Sequence, residues 1–396
     1  MRPASSAGVP GDDQPGPPAG GAVAFGVPTD RPHPRVAGPE AVRRTPGDVE
    51  PDWLTTVLVE RGLLAGGRVV SVVATPVGTG QMADTVRFSL TYEPAGSGPP
   101  TIVGKFTSAD EQSHATGRVM RAYEVEVRFY VEIAPRVATR HPRLLFAALD
   151  PDEAWFTLLL EDLAEAVQGD EIAGCDATVA EAALGQMAGL HAPCWEASDL
   201  AASPWVNRST PETEAFTASI VTGVFPGFLE RYGDRIEPSH VHLLESFLPR
   251  LGTWMDRPRG PRTVVHADFR LDNLLFTPDQ PAPVVVDYQT ISWGSGAYDL
   301  AYFVGGCLEP EVRRPASGSL LSGYHDALVA GGVDGYPLGD LVADYRRECF
   351  GGLVMAVGAS MLVKQTDRGD AMFLTSVRRH AQQAIDLDAL DLLVDA

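Results

Sequence analysis

A chain of 396 residues with 52 acidic against 31 basic side chains, a net charge of −21, lacks the positive field that nucleic acid or an anionic membrane surface requires. Its 44% hydrophobic and 21% charged content is that of a globular protein long enough for two lobes. Four scattered cysteines, Cys175, Cys194, Cys307 and Cys349, suit reduced thiols of a cytoplasmic protein and form neither a disulfide frame nor a zinc site.

Residues 1–39 hold 9 Pro and 7 Gly among few apolar side chains. Burial there cannot offset the ordering entropy, so residues 1–38 are expected to be disordered. No basic stretch leads into an apolar one near the start. The longest uncharged runs beyond it, Ala215–Leu229 and Cys349–Val363, fall short of the about 18–20 apolar residues of a membrane span. Both are expected as core helices.

From Val49 the spacing of Trp53, Leu54, Val57 and Leu58 predicts a helix that Pro51 helps to start. Strands are expected over Arg68–Val77 and Asp84–Tyr92, the second with Val86, Phe88, Leu90 and Tyr92 on one face. Between them, Gly78-Thr79-Gly80-Gln81-Met82-Ala83 serves equally as a tight turn or as a cradle whose amides approach an anion. The strand Thr101–Phe106 carries one charge, Lys105. A cation in such a strand wants a partner or an anionic ligand, unless the strand is an edge kept soluble by lysine.

A helix over roughly Gly117–Ala134, ending before Pro135, puts Val119, Met120, Tyr123, Val127, Phe129, Tyr130 and Ile133 on one arc. Glu126 falls inside that arc and is the expected partner of Lys105. Glu124 lies past its edge and suits an exposed pair with Arg128. A hairpin of Leu144–Ala148 and Trp155–Leu160 completes a small antiparallel sheet, and helices dominate from there. One runs from an N-cap at Thr178 to about Ala192, and another over Ser239–Met255 is kinked by Pro249. His191 is expected to be a structural hydrogen-bonding residue.

The chain is organised around Val264–Asp287. Two apolar β-type runs flank His266-Ala-Asp268-Phe-Arg-Leu-Asp-Asn273, and the second run ends on Asp287. Asp268, Asn273 and Asp287 are, in order, the set that phosphoryl transfer needs: an acid to take the acceptor's proton, then an amide and a carboxylate to hold the metal on the phosphates. Gly294–Gly296 is expected as a turn before a helix opened by Tyr298-Asp299-Leu-Ala, in which Asp299 ties the helix to the loop. Further helices are expected over Ser317–Ala330, Leu338–Val363 and Met372–Leu393.

Together these motifs resemble the aminoglycoside phosphotransferase and choline kinase-like families of small-molecule kinases. The resemblance implies an α+β, protein-kinase-like bilobal fold: a small antiparallel-sheet lobe over residues 39–162 and a larger, mainly helical lobe over 163–396. It implies a nucleotide site of Gly78, Gly80, Lys105 and Glu126, with backbone contacts to adenine from the Leu158–Leu163 hinge at Glu161 and Leu163. ATP and Mg²⁺ are the implied cofactors, the latter on Asn273 and Asp287, with Asp268 as the catalytic residue acting on a small-molecule hydroxyl. Such families diversify over about Gly169–Met255 to hold the acceptor. The other class left open is a nucleotide-binding module without turnover. The third glycine of Gly-x-Gly-x-x-Gly is replaced by Ala83, which leaves open which amides of the Gly78–Asp84 loop touch phosphate. Ala267 replaces the protein-kinase Arg and no Ala-Pro-Glu element follows Asp287, which speaks against a protein substrate.

Overall fold

The computed structural model describes residues 33–78, 82–256 and 260–393. Five strands form one antiparallel sheet: β1 (Arg68–Pro76), β2 (Ala83–Glu93), β3 (Thr101–Thr107), β4 (Leu144–Asp150) and β5 (Trp155–Glu161), in spatial order β1-β2-β3-β5-β4. The expected hairpin of β4 and β5 exists, but β5 inserts beside β3. Lys105 therefore sits on an interior strand, and the edge explanation for it falls.

The alternation in β2 buries Val86, Phe88, Leu90 and Tyr92 in one cluster with Leu54, Val57 and Leu58 of α1 (Pro51–Glu60). Each such side chain contributes about 1.5–3 kcal/mol by leaving water. The run Leu158-Leu159-Leu160 in β5 is divided between two cores, Leu159 facing α1 and its neighbours the opposite side. A strand covered on both faces reads as a continuous apolar run.

The single helix expected over Gly117–Ala134 is two helices, α2 (Glu111–Val119) and α3 (Ala122–Arg128), followed by a wider turn at Phe129–Ile133. Asp110 caps α2 by accepting from Ser113 N at 2.8 Å. The break falls at Arg121, which adopts a left-handed conformation with φ 57°. It lets the Tyr123 ring fold over Gly117, where any side chain would collide with it, and the Tyr123 hydroxyl donate to Met82 O. Val119 and Met120 consequently leave the buried arc and are 84% and 48% exposed.

The last residues of the stretch expected to be disordered are in contact with the sheet. Ala37 bridges the outer edge of β4, donating to Ala147 O and accepting from Leu149 N, and His33 Nε2 meets Tyr130 O at 2.8 Å. An open strand edge offers backbone partners that a segment poor in apolar side chains can still use. Residues 1–32 and Gly80 lie outside the described residues.

The larger part of the fold is built on α4 (Ala177–His191), α5 (Pro211–Tyr232), α6 (Pro238–Phe247), α7 (Gly296–Cys307), α8 (Pro310–Ala330), α9 (Leu338–Glu348), α10 (Gly351–Leu362) and α11 (Asp367–Asp386). Asp176, not Thr178, caps α4, accepting from Val179 N. Pro249 ends α6 in a tight turn before a short helix over Leu251–Met255, and the long helix expected over Leu338–Val363 is split into α9 and α10. α10 is a core helix as expected. α5 is not: Phe216 is 66% exposed, and the helix buries only Val221, Phe228 and Tyr232.

The two apolar runs around the polar loop belong to different small sheets. β6 (Arg262–Val265) pairs with β9 (Ser292–Ser295), while β7 (Leu274–Phe276) pairs with β8 (Val284–Val285). The expected turn at Gly294–Gly296 is thus the end of a strand and the start of α7, because the backbone around buried Trp293 bonds to β6. No helix among the described residues is long and apolar enough to cross a membrane.

Thr157 is fully buried, and its hydroxyl accepts from Arg43 N at 2.7 Å and donates to Arg43 O at 2.8 Å, fastening the N-terminal strap to the sheet. Thr157→Val keeps the volume and removes both bonds. Urea unfolding is expected to show a loss of about 1–3 kcal/mol; an unchanged midpoint would mean the strap contributes nothing.

Candidate active site

One buried carboxylate shapes the loop. Asp299, in the first turn of α7 and fully buried, accepts His266 N at 2.6 Å and Ala267 N at 2.9 Å, while His191 Nε2 lies 3.2 Å from it. His191 Nδ1 in turn meets the Tyr324 hydroxyl at 2.7 Å. These contacts are the structural roles expected of Asp299 and His191. They hold Ala267 in the left-handed region at φ 63°, a conformation that costs a residue with a side chain and persists only where its surroundings enforce it. The loop is tied across as well: His266 Nε2 lies 3.1 Å from Val286 O, and Val286 N donates to Asn273 O.

Beyond this turn Asp268, Asn273 and Asp287 share the wall of one cavity of about 910 Å³ with Gly78, Lys105, Glu126, Glu161 and Leu163. Every site residue expected from sequence and described in the structure is brought together there. Lys105 Nζ lies 2.5 Å from Glu126 Oε1 and 3.1 Å from Asp287 Oδ1, so the lysine of β3, the glutamate of α3 and the carboxylate after β8 form one ion cluster. Glu124 takes the outer position expected for it, between Arg121 and Arg128. Burial opposes the Lys105 charge, but Asp287 and Glu126 outweigh it and raise its pKa. Burial also pushes Asp287 toward its neutral form, yet the lysine holds it below the ordinary carboxylate range.

Asn273 donates Nδ2 to Asp268 Oδ2 at 3.0 Å and to Asp268 O at 2.9 Å. Its Oδ1 takes no hydrogen bond among the described residues, and Asp287 stands across the same wall. Two hard oxygen donors suit a cation such as Mg²⁺ that draws its other ligands from phosphate and water. No group of three or more His, Cys, Asp or Glu able to hold a metal occurs among the described residues. Asp268 also meets the Tyr302 hydroxyl at 3.2 Å and Arg270 Nε at 3.3 Å. Burial is the main influence on it and raises its pKa against the pull of Arg270.

Among the polar residues of this wall that sequence reading missed are Arg270, Tyr302 and Glu171. A charge between Phe269 and Leu271, both buried, was a signal for the first, and the i, i+4 spacing from Tyr298 for the second. Nothing marked Glu171. Of the segment Gly169–Met255, Glu171 alone lines the cavity. The far wall comes instead from α10, α11 and their link, with Met355, Ala359, Val363, Met372 and Phe373. α5 lies behind α10, and the two are close enough that a side chain at Gly358 would meet Val221.

The sequence model of the ecdysteroid kinase-like family matches residues 81–331, more than half of the chain. No sequence among curated proteins matches. Among solved structures, the microcompartment-associated aminopropanol kinase is similar over 85% of this chain and 99% of its own, at 14% identity and TM-score 0.50. An amicoumacin kinase in complex with AMP-PNP, Ca²⁺ and Ami is similar over 83% of this chain and 93% of its own, at 13% identity and TM-score 0.47. An aminoglycoside 2'-phosphotransferase-IIIa in its GDP complex is similar over 84% of this chain and 98% of its own, at 14% identity and TM-score 0.47. The fold is therefore the protein-kinase-like, bilobal α+β arrangement of small-molecule kinases.

Asp299→Asn would turn an amide donor toward two backbone donors. Chemical denaturation is expected to show a loss of at least about 3 kcal/mol, and a loss below about 1 kcal/mol would mean the loop is held elsewhere. Glu171 offers a pH test. It is buried, accepts from Leu271 N at 2.9 Å, and burial pushes it up to about 7. An acid raised in the folded state resists ionisation, so stability falls as pH climbs from the unfolded value of about 4.3 through about 7. Glu171→Gln is expected to gain up to about 3 kcal/mol on wild type between pH 5 and pH 8; parallel stability curves would refute this.

Proposed function

The chain belongs to the ecdysteroid kinase-like family, and we propose that it is a Mg²⁺-dependent enzyme moving the γ-phosphoryl group of ATP to a hydroxyl of a small molecule. The observation that carries this reading is the ion cluster of Lys105, Glu126 and Asp287 in the same cavity as Asp268 and Asn273. In it, residues 39–162 form the nucleotide lobe and 163–396 the catalytic and acceptor lobe. Lys105, oriented by Glu126, steers the α- and β-phosphates. The backbone at Gly78 approaches them, and the backbone at Glu161 and Leu163 meets the adenine. Asn273 and Asp287 would hold Mg²⁺, which supplies neutralisation of the phosphate charge. Asp268 receives the acceptor's proton and orients its oxygen.

Support for the acceptor's character comes from the far wall. Its apolar side chains suit a hydroxylated molecule with a largely apolar body, and the ecdysteroid in the family's name is of that kind. The four free cysteines fit action in a reducing, cytoplasmic setting.

The test is a screen of hydroxylated acceptors with ATP and Mg²⁺, read by mass shift, followed by two variants. Asp268→Asn is expected to lower kcat by at least about 10²-fold while nucleotide affinity changes little. Lys105→Ala is expected to weaken nucleotide binding itself, and EDTA to abolish turnover until Mg²⁺ is restored. Nucleotide binding with no transfer to any acceptor or to water would favour a binding module instead.

A further inference from the structure

Two buried histidines in this fold differ in how their ring nitrogens are used. His191 spends both, one on Asp299 and one on the Tyr324 hydroxyl. His380, on α11, is 1% exposed and spends one: its Nδ1 lies 3.3 Å from Gln383 Oε1. The orientation of that amide is fixed, because Gln383 Nε2 donates to the Tyr345 hydroxyl at 2.9 Å and at 3.1 Å to Ala301 O, which can only accept. Facing an oxygen, Nδ1 carries the ring proton. Burial holds the pKa down at about 4, so the ring is neutral at pH 7. Nε2 is therefore a bare acceptor, and it takes no hydrogen bond among the described residues. Glu171 is in the same condition. Its Oε2 accepts from Leu271 N at 2.9 Å, while Oε1 takes no hydrogen bond among the described residues. The two atoms face one space beside Gly306, where a side-chain carbon would lie 2.6 Å from Glu171 Oε1 and 3.2 Å from His380 Nε2.

Both residues line the cavity. Tyr302, whose hydroxyl meets Asp268, stacks its ring on His380 with centroids 5.6 Å apart at 29°. Gly352 of α10 packs so closely that any side chain there would strike the imidazole, which fixes the ring between α7 and α10. The neighbouring lining of Met355, Met372 and Phe373 is apolar. Resting on the kinase reading above, we propose that His380 Nε2 and Glu171 Oε1 bind a second hydroxyl of the acceptor, one tyrosine's breadth from the hydroxyl that Asp268 receives. The substrate class is thus an uncharged diol or polyol whose two hydroxyls lie on separate parts of an apolar skeleton. The second hydroxyl donates to Nε2, and its oxygen accepts from the Glu171 carboxyl, which burial pushes up to about 7. A monool would leave both buried atoms without a partner. An ammonium in the same place could also donate to Nε2, but it would meet Arg270 and Arg379, whose charges already act on Glu171.

The experiment offers ATP, Mg²⁺ and three apolar diols: a cyclohexanediol, a decalindiol and an androstanediol. Each is run beside its monools and the amino-alcohols that replace one hydroxyl. Wild type is compared with His380→Asn and His380→Gln, with fold checked by circular dichroism. Asn keeps a donor for Gln383 and deletes the acceptor at Nε2; Gln places an oxygen near Nε2 and gives up that donor. In wild type at least one diol is expected to exceed its monools by about tenfold or more in kcat/KM. His380→Asn is expected to bring that diol down to its better monool while the monool changes by less than about threefold, and His380→Gln to keep part of the preference. A merely structural histidine predicts the reverse order, since Asn preserves the Gln383 bond. Binding is read separately on protein with isotope-labelled histidine, where the diol is expected to move the Nε2 resonance with no nucleotide present and the monools are not. Diols and monools accepted alike, amino-alcohols preferred, an unmoved resonance, or His380→Asn milder than His380→Gln would each overturn the proposal. If His380→Asn does not fold, the wild-type ratio and the resonance decide. Failure of the kinase reading looks different: the resonance moves, and no compound gains the mass of a phosphoryl group.

Discussion

A single ammonium joins the parts of this molecule. Lys105 stands on an interior strand, Glu126 on the helix behind the sheet, and Asp287 on the larger lobe, and all three meet at Nζ. Burying a cation is costly unless it is matched, so the position of each partner is constrained by the other two. The cluster carries one positive and two negative charges, and Asp268 adds another carboxylate to the same wall. Arg270 lies beside that carboxylate, so cations and carboxylates alternate along the wall.

The polar loop stands on a second constraint of the same sort. Asp299 satisfies two consecutive backbone donors in a fully buried place, so Ala267 can hold its left-handed turn without glycine's freedom. The loop's geometry is thus underwritten from α7, outside the cavity. Nothing that enters the cleft has to organise it.

What the sequence made legible follows from this. That Asp268, Asn273 and Asp287 share one wall was readable because they flank one short polar loop between two apolar runs. Lys105 and Glu126 were readable because a lone charge in an apolar strand, and another on an apolar helical arc, require each other. The break at Arg121 was not, since the helical period continues through it and only the packing of Tyr123 over Gly117 decides the backbone. Ser292–Ser295 read as a turn because its two small residues and glycine hide a pairing to β6 set by tertiary position. The far wall of the cleft was not legible, as α5 packs against the outer side of α10 and the face toward the cleft belongs to α10 and α11. Arg270 was visible as a charge, but its pairing with Asp268 is a property of its surroundings.

The residue after Asp287 has a consequence for small-molecule intervention. Tyr288 is fully buried, stacked on Phe129 with ring centroids 3.5 Å apart at 11°, and set edge-on to Tyr130. Phe129 and Tyr130 directly follow the helix that carries Glu126. Turning Asp287 out of the cleft would require withdrawing a whole tyrosine from an aromatic box, so compounds that capture such a rearranged state have little to select. The opposite end of the cavity, lined by Met355, Met372 and Phe373, has no such stacked box to hold it.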